Sequence, residues 1–351
     1  MGHLGSMDLL HYRAGSRALR RLRERGFGPE ALRVLVAPAA GPKWLVVMGM
    51  DQALIAGGYL QGNGRRTLLG SSAGAWRSFA LAARDPAKVH RALCDDYVDQ
   101  RFSARDTAET ISQAYRKVLG RVFSDEDVAH ALSHPDLCLG LWAARARGMT
   151  GADSHRVQWG ALGVAALLNT LSGRSQGLFF ERTLFTPSHS RGPAIDALRG
   201  RRAPLTADNA RSVLLASGSV PLVMAAIRNL PGAPAGRYLD GGLTDYHISQ
   251  PLDCGDRGVA LLLLHQARIV PNWFDKWLPY RKPKAAWLRD VLVVHPSKAW
   301  IQSLPGEAIP TREDFTTFRD DADERIRRWR EAVKRSEQLG EQLLSDATAG
   351  R

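Results

Sequence analysis

The sequence predicts an α/β protein, a three-layer α/β/α arrangement with a mostly parallel central sheet and a helical insertion. Three observations carry this expectation. Short aliphatic runs at 33–37, 67–69, 258–264 and 291–294 read as strands buried on both faces. The first two runs each lead into a small-residue turn and then a helical period. Strand, turn and helix in repeated succession is the order that builds parallel strands joined by crossover helices.

The elements follow in chain order. Residues 17–25 form a short basic helix, broken by Gly26-Phe27-Gly28-Pro29. Strand 33–37 passes through a turn at Ala39–Lys43 into a helix over 44–56, closed by Gly57-Gly58. Strand 67–69 leads through Gly70–Gly74 into a helix over 75–83. From about 88 to 160 the pattern is helical and polar, with no clear strand. An apolar helix follows at 160–171, an alternating strand at 177–185 and a helix at 207–216. A short strand at 237–239 enters Asp240-Gly241-Gly242, and a long charged helix begins near 314. The organisation expected is an N-terminal extension with the basic helix (1–30), an α/β domain (31–300) with 85–160 as a helical insertion or cap, and a C-terminal helical segment (301–351).

Composition narrows the class. The chain has 351 residues, 44% hydrophobic and 24% charged, which excludes a disordered chain and suffices for a large core. The longest aliphatic run, 259–264, is far short of a bilayer span. Cys94, Cys138 and Cys254 are too few and too scattered for a disulfide framework and make no CxxC pair. No secretory leader is visible, so a cytoplasmic location is expected, with peripheral membrane contact left open. Gly2 and Ser6 fit an M-G-x-x-x-[ST] acylation pattern, although a start at Met7 is the plainer reading.

Formal net charge is +13, from 40 arginines and eight lysines set against 35 acidic residues. The arginines are spread along the chain and show no basic–aromatic interleaving, so nucleic acid is not an expected partner. A basic surface suits an anionic membrane. The stretch 273–287, with Trp273, Phe274, Trp277, Tyr280 and Trp287 among lysines and prolines, reads as packing of a long loop or cap, the alternative being contact with an interface or acyl chains.

Candidate chemistry centres on a serine. Gly70-Ser71-Ser72-Ala73-Gly74 fits the G-x-S-x-G elbow, in which a strand-to-helix turn lifts a serine Oγ above the sheet. Small neighbours let the backbone bend, and the new helix favours negative charge at its N-terminus. Gly173-Arg174-Ser175-Gln176-Gly177 fits the same pattern, but it follows a helix and precedes a strand, the reverse of an elbow. Ser72 is therefore the candidate nucleophile. Its base is either a directly bonded aspartate, Asp240, or a histidine (His247, His265 or His295) in a triad. His130 and His134 have i,i+4 spacing but lack a third ligand, so no metal is expected.

Three segments together resemble the patatin-like phospholipase family. They are the Ser72 elbow, the D-G-G segment Tyr238–Leu243, and Ala216-Ser217-Gly218-Ser219-Val220-Pro221, which is similar to that family's A-S-x-x-x-P stretch. The resemblance covers roughly residues 33–265. It implies a Ser72–Asp240 dyad, a patatin-like fold, a lipid or other ester as substrate, and neither metal nor organic cofactor, with calcium independence. Gly70, Gly74, Gly241 and Gly242 would support the two turns. The family's oxyanion loop, G-G-G-x-[RK]-G, corresponds to Ala39-Ala40-Gly41-Pro42-Lys43-Trp44. The Ala40 and Gly41 amides are then the oxyanion donors, Pro42 has no N–H to give, and Lys43 is a nearby positive charge. Two alternatives stay open: an esterase with a Ser-Asp-His triad, and a catalytically silent lipid-binding protein on the same fold.

Overall fold

A computed structural model describes residues 8–62, 64–190 and 193–350. The Gly2/Ser6 pattern lies outside these residues. The chain runs β1 (Leu10–Ala14), α1 (Ser16–Arg25), β2 (Leu32–Ala37), α2 (Met48–Ala56), β3 (Arg66–Ser71), α3 (Ala73–Leu81), α4 (Pro86–Val98), α5 (Ala108–Val122), α6 (Asp125–Ser133) and β4 (Leu137–Ala146). It continues through α7 (His155–Leu171), α8 (Gln176–Phe179), β5 (Phe180–Thr186), α9 (Pro193–Asp196), β6 (Arg201–Pro204), α10 (Ala210–Gly218), β7 (Ile227–Arg228) and β8 (Arg237–Asp240). Last come β9 (Val259–Leu263), β10 (Val291–Pro296), α11 (Lys298–Ser303), α12 (Asp314–Thr317) and α13 (Ala322–Thr348).

The ten strands form one sheet, ordered β1-β10-β9-β2-β3-β4-β5-β6, with β8 added beside β4 and β7 beside β8. The α/β class expected from the sequence is present, but the sheet is mixed and not mostly parallel. Strands β10, β9, β2, β3 and β4 are parallel neighbours, whereas β1–β10, β4–β5, β4–β8 and β7–β8 pair antiparallel. The sequence reading followed the aliphatic central strands, and the antiparallel ones carry charge at the periphery. β1, for example, exposes His11, Tyr12 and Arg13.

A second correction concerns 85–160. This span contains β4, a ten-residue strand at the middle of the sheet, with its first eight residues buried. Its alanine-rich end, Ala143-Ala144-Arg145-Ala146, hides the strand from a propensity reading; burial between β3, β5 and β8 overrides propensity.

Successive residues of each central strand face opposite sides of the sheet. Leu35, Leu68 and Leu261 join a core made with α2, α3, α4, α5, α10 and α13, whereas Val34, Val36, Leu69 and Leu262 pack under Ile195, Leu198, Ile248 and Leu252. Arg77 on α3 and Asp51 on α2, both fully buried, share two hydrogen bonds of 2.8 Å, and His90 of α4 lies 3.1 Å from the same carboxylate. This bidentate pair ties together the helices that follow β2 and β3, whose first turns frame the site. No helix among the described residues is long and apolar enough to cross a membrane.

Candidate active site

β3 ends at Ser71, α3 begins at Ala73, and Ser72 alone makes the bend between them. It has φ 56° and ψ −130°, a conformation that L residues seldom adopt, and it is held there by packing on both sides. Gly74 explains how α3 can start so abruptly. A Cβ at this position would stand 1.9 Å from the Ala37 carbonyl oxygen of β2. Gly70 is similarly crowded by the Ala75 backbone at 2.5 Å. The Ser72 N–H donates to Ser217 Oγ at 2.9 Å, and that hydroxyl donates to the Trp142 carbonyl at 2.6 Å. The A-S-x-x-x-P stretch thus anchors the elbow to β4.

Asp240 is 168 residues away in sequence, yet Ser72 Oγ donates to its Oδ2 at 2.6 Å. Sheet register brings the two together. On one edge of β4, Trp142 pairs with Ser71, the last residue of β3, and the next residue, Ala143, pairs with Asp240, the last residue of β8. The other edge of β4 is taken by β5, so β8 continues the line that β3 leaves. The two strand ends therefore meet head to head. Gly241 makes the junction possible: a Cβ there would lie 2.3 Å from the Trp142 carbonyl oxygen. The Gly242 N–H donates to Asp240 Oδ1 at 2.7 Å, so each carboxylate oxygen has a partner.

Burial raises the Asp240 pKa above the usual carboxylate value, while hydrogen bonds from Ser72 and Gly242 and the nearby cations Arg312 and Lys276 act against that rise. The carboxylate is thus a stronger base than an exposed one. Lys276 shows the reciprocal effect: burial, with Arg312 and Lys43 beside it, pushes its ammonium down to about 7. The Lys43 ammonium is lowered in the same direction, chiefly by burial.

Across from the elbow, the turn after β2 carries Ala39, Ala40 and Gly41 into a 3₁₀ turn, Gly41–Val47. The Ala39 N–H is taken by the Tyr246 carbonyl at 2.7 Å. Gly41 sits at φ 55°, and the Arg312 guanidinium passes 3.6 Å from where its Cβ would be. Lys43, one turn on, borders the same cavity.

Two cavities meet at Ser72. One, about 290 Å³, joins Ser72, Asp240 and the Ala39–Lys43 turn to Lys276, Arg312 and Trp277. The other, about 240 Å³, is apolar and aromatic, walled by Trp76, Tyr97, Phe102, Tyr115, Met224 and Phe315. Gly41, Pro42, Ser72, Val220 and Arg312 belong to both. Arg312 and Lys276 were not foreseen from sequence. Arg312 lies in a loop and Lys276 in the short 3₁₀ turn Trp273–Trp277, neither with a motif, and only the tertiary fold carries them to the serine.

The histidines lie elsewhere in their bonding. Buried His247 accepts the Val270 N–H on Nδ1 at 2.9 Å and stacks on Tyr246. His265 meets His247 edge-on and contacts Gln266 at 3.1 Å. His295 sits on β10 against His11 of β1, three strands from β3. None of the three hydrogen-bonds Ser72 or Asp240, and burial lowers the pKa of each, His265 to about 3. His134 accepts the Asp136 and Leu137 N–H groups on Nδ1, ending α6, and its ring lies 5.0 Å from His130. Ser175 closes a 3₁₀ turn between α7 and α8, with no hydrogen-bond partner for its Oγ among the described residues.

No protein-family model matches the chain, and no curated protein is found to be similar to it. The functional reading therefore rests on the site itself.

Proposed function

We propose that this protein is a patatin-like acyl hydrolase that cleaves carboxylic esters of lipids through an acyl-serine on Ser72, with Asp240 as general base. The observation that carries the reading is the buried 2.6 Å hydrogen bond from Ser72 Oγ to Asp240, made by a serine on a strained strand-to-helix bend.

Each step follows from that pair. As Ser72 Oγ attacks the ester carbonyl carbon, its proton passes to Asp240 Oδ2. The carbonyl oxygen becomes an oxyanion beside the Ala40 and Gly41 amides, with the Arg312 guanidinium next to the turn. The carbon–oxygen bond to the alcohol breaks, and Asp240 returns the proton to the departing alkoxide. Water then attacks the acyl-serine, gives a proton to Asp240 and releases the acid, and that proton restores the Ser72 hydroxyl. No side chain other than these two needs to move a proton, which accords with histidines bonded elsewhere.

The two cavities suit the two halves of such an ester. The aromatic cavity fits an acyl chain of moderate length. The cavity with Lys43, Lys276 and Arg312 fits an alcohol that carries negative charge. Release of the fluorophore from medium-chain acyl esters by the wild-type protein and by Ser72→Ala tests the reading. Hydrolysis by the wild type and a loss of about 10⁴-fold or more in the variant is expected. Equal rates in both would overturn it.

A further inference from the structure

Helix α7 is apolar on its outer side as well as its inner one. Its buried side holds Ala161, Leu162 and Ala165 together with Gln158 and Asn169, whose side-chain N–H groups donate to the Thr150 carbonyl at 3.0 Å and to Asp275 at 2.8 Å. Its outer side presents Val157, Trp159, Val164, Leu167 and Leu171, the last of them 79% exposed. No charged residue occurs from Val157 to Ser172. A helix that faces water carries charged and polar residues on that outer side.

The patch extends beyond the helix. Nine of the eleven large apolar side chains that are exposed among the described residues lie at 149–178 or 277–280. Met149 stands just before α7, and Leu178 just after it. Tyr280 is joined to α7 by a hydrogen bond from its hydroxyl to the Thr170 carbonyl at 3.2 Å. Trp277 stacks edge-on against Trp273 and borders the Ser72 cavity, and Leu162 of α7 borders it too. The apolar face is therefore continuous with the mouth of the candidate active site.

Charge around the face has one dominant sign. Arg147, Arg156, Arg174, Lys282 and Lys284 are exposed at its margins. The acidic groups nearby are already paired: Asp153 with Arg228 and Arg237, Glu181 with Arg145, Arg201 and Arg147 itself, which leaves Arg156, Arg174, Lys282 and Lys284 as the cations of the margin. A second copy of the chain is a poor occupant, because a two-fold contact would bring like-charged margins together. An anionic bilayer answers both features, taking the apolar side chains into its interfacial region and the cations at its headgroups. At about 1.5 Å per residue, α7 is roughly 25 Å long, and it can lie flat in that plane.

We propose that the outer face of α7, with Met149, Leu178, Trp277 and Tyr280, is a docking surface for an anionic lipid bilayer, which places the cavity mouth against the membrane. This proposal goes beyond the hydrolase reading, and its test separates the two. Binding of Ser72→Ala protein is measured by co-sedimentation with vesicles of phosphatidylcholine alone, or of phosphatidylcholine with phosphatidylserine. Strong binding to the mixed vesicles is expected. A Trp159→Glu/Leu167→Glu variant loses roughly tenfold or more. A Lys282→Glu/Lys284→Glu variant loses roughly fivefold per cation on mixed vesicles only. Both pairs are exposed, so thermal melting should match the parent protein. As a readout that needs no charged substitution, bilayers with brominated acyl chains should quench fluorescence in the parent, and Trp159→Phe and Trp277→Phe should each remove part of the quenched component. Failure of the parent to bind either vesicle, undiminished binding by Trp159→Glu/Leu167→Glu, or a dimer in solution that this variant dissolves would each overturn the proposal. Activity on soluble esters has no bearing on any of these results.

Discussion

The segments at Gly70–Gly74 and Gly173–Gly177 spell the same pattern and do different things. In the first, a serine sits at φ 56° between a buried strand and a helix, with a carboxylate at 2.6 Å. In the second, Ser175 is in ordinary helical conformation (φ −59°, ψ −23°) between two helical turns, and α8 then leads into β5. The glycines differ as much as the serines. Gly74 touches the β2 backbone, so no side chain fits, whereas a Cβ at Gly177 meets nothing within 4 Å. The lesson is that the pattern acquires meaning from what it is wedged between. One copy is clamped by three strands, and the other lies on the surface.

Substitutions can sharpen or break this comparison. The largest effect is expected at the acid–base pair. Asp240→Asn should lower kcat/KM for a medium-chain ester by about 10²- to 10⁴-fold, whereas Ser175→Ala should leave it unchanged. If Ser175→Ala alone abolished turnover, the comparison would be reversed. Stability should separate the glycines next. Gly74→Ala should destabilise by about 3 kcal/mol or more in denaturant melts, because the clash is with backbone that cannot move aside. Gly177→Ala, in α8 with open space around it, should stabilise by up to about 1 kcal/mol.

A smaller effect concerns pH. The folded state holds the Asp240 proton more tightly than the unfolded chain does, because burial raises the folded pKa. The contribution to stability is thus complete below the ordinary carboxylate pKa and is lost as pH rises through the folded value. At neutral pH the ionised carboxylate weakens the fold, so Asp240→Asn should melt at the same temperature or higher while it loses activity. The acid limb of the wild-type kcat/KM profile should lie above the usual carboxylate range. Lys276 changes charge near 7, so KM for an ester with an anionic alcohol should rise as pH passes upward through that value. A KM that is flat across this range would remove Lys276 from the binding of the alcohol.

Local chemistry made parts of the site legible in sequence. The elbow at Ser72 and the D-G-G turn at Asp240 are each written in consecutive small residues, because close backbone approach leaves no other choice. What joins them was not legible. β4, the strand whose edge lines up Ser71 and Asp240, ends in alanines that read as helix, and the antiparallel pairings of β8 and β1 depend on register and not on composition. Arg312 reaches the cavity from a loop and Lys276 from a single 3₁₀ turn, where spacing says nothing. The apolar character of α7 is legible in sequence, but which side faces outward is not, because tertiary packing alone sets Gln158, Leu162, Ala165 and Asn169 inward and leaves Trp159, Leu167 and Leu171 exposed. The fold class was visible in aliphatic runs, and the mixed topology was not.

The most direct test of the central claim is covalent labelling with a fluorophosphonate, followed by peptide mass mapping, in the wild-type protein and in Asp240→Asn. A single adduct on Ser72, formed far more slowly when Asp240 is replaced, is the predicted result. An adduct on Ser175, or labelling of Ser72 at the same rate in both proteins, would contradict a nucleophile activated by Asp240.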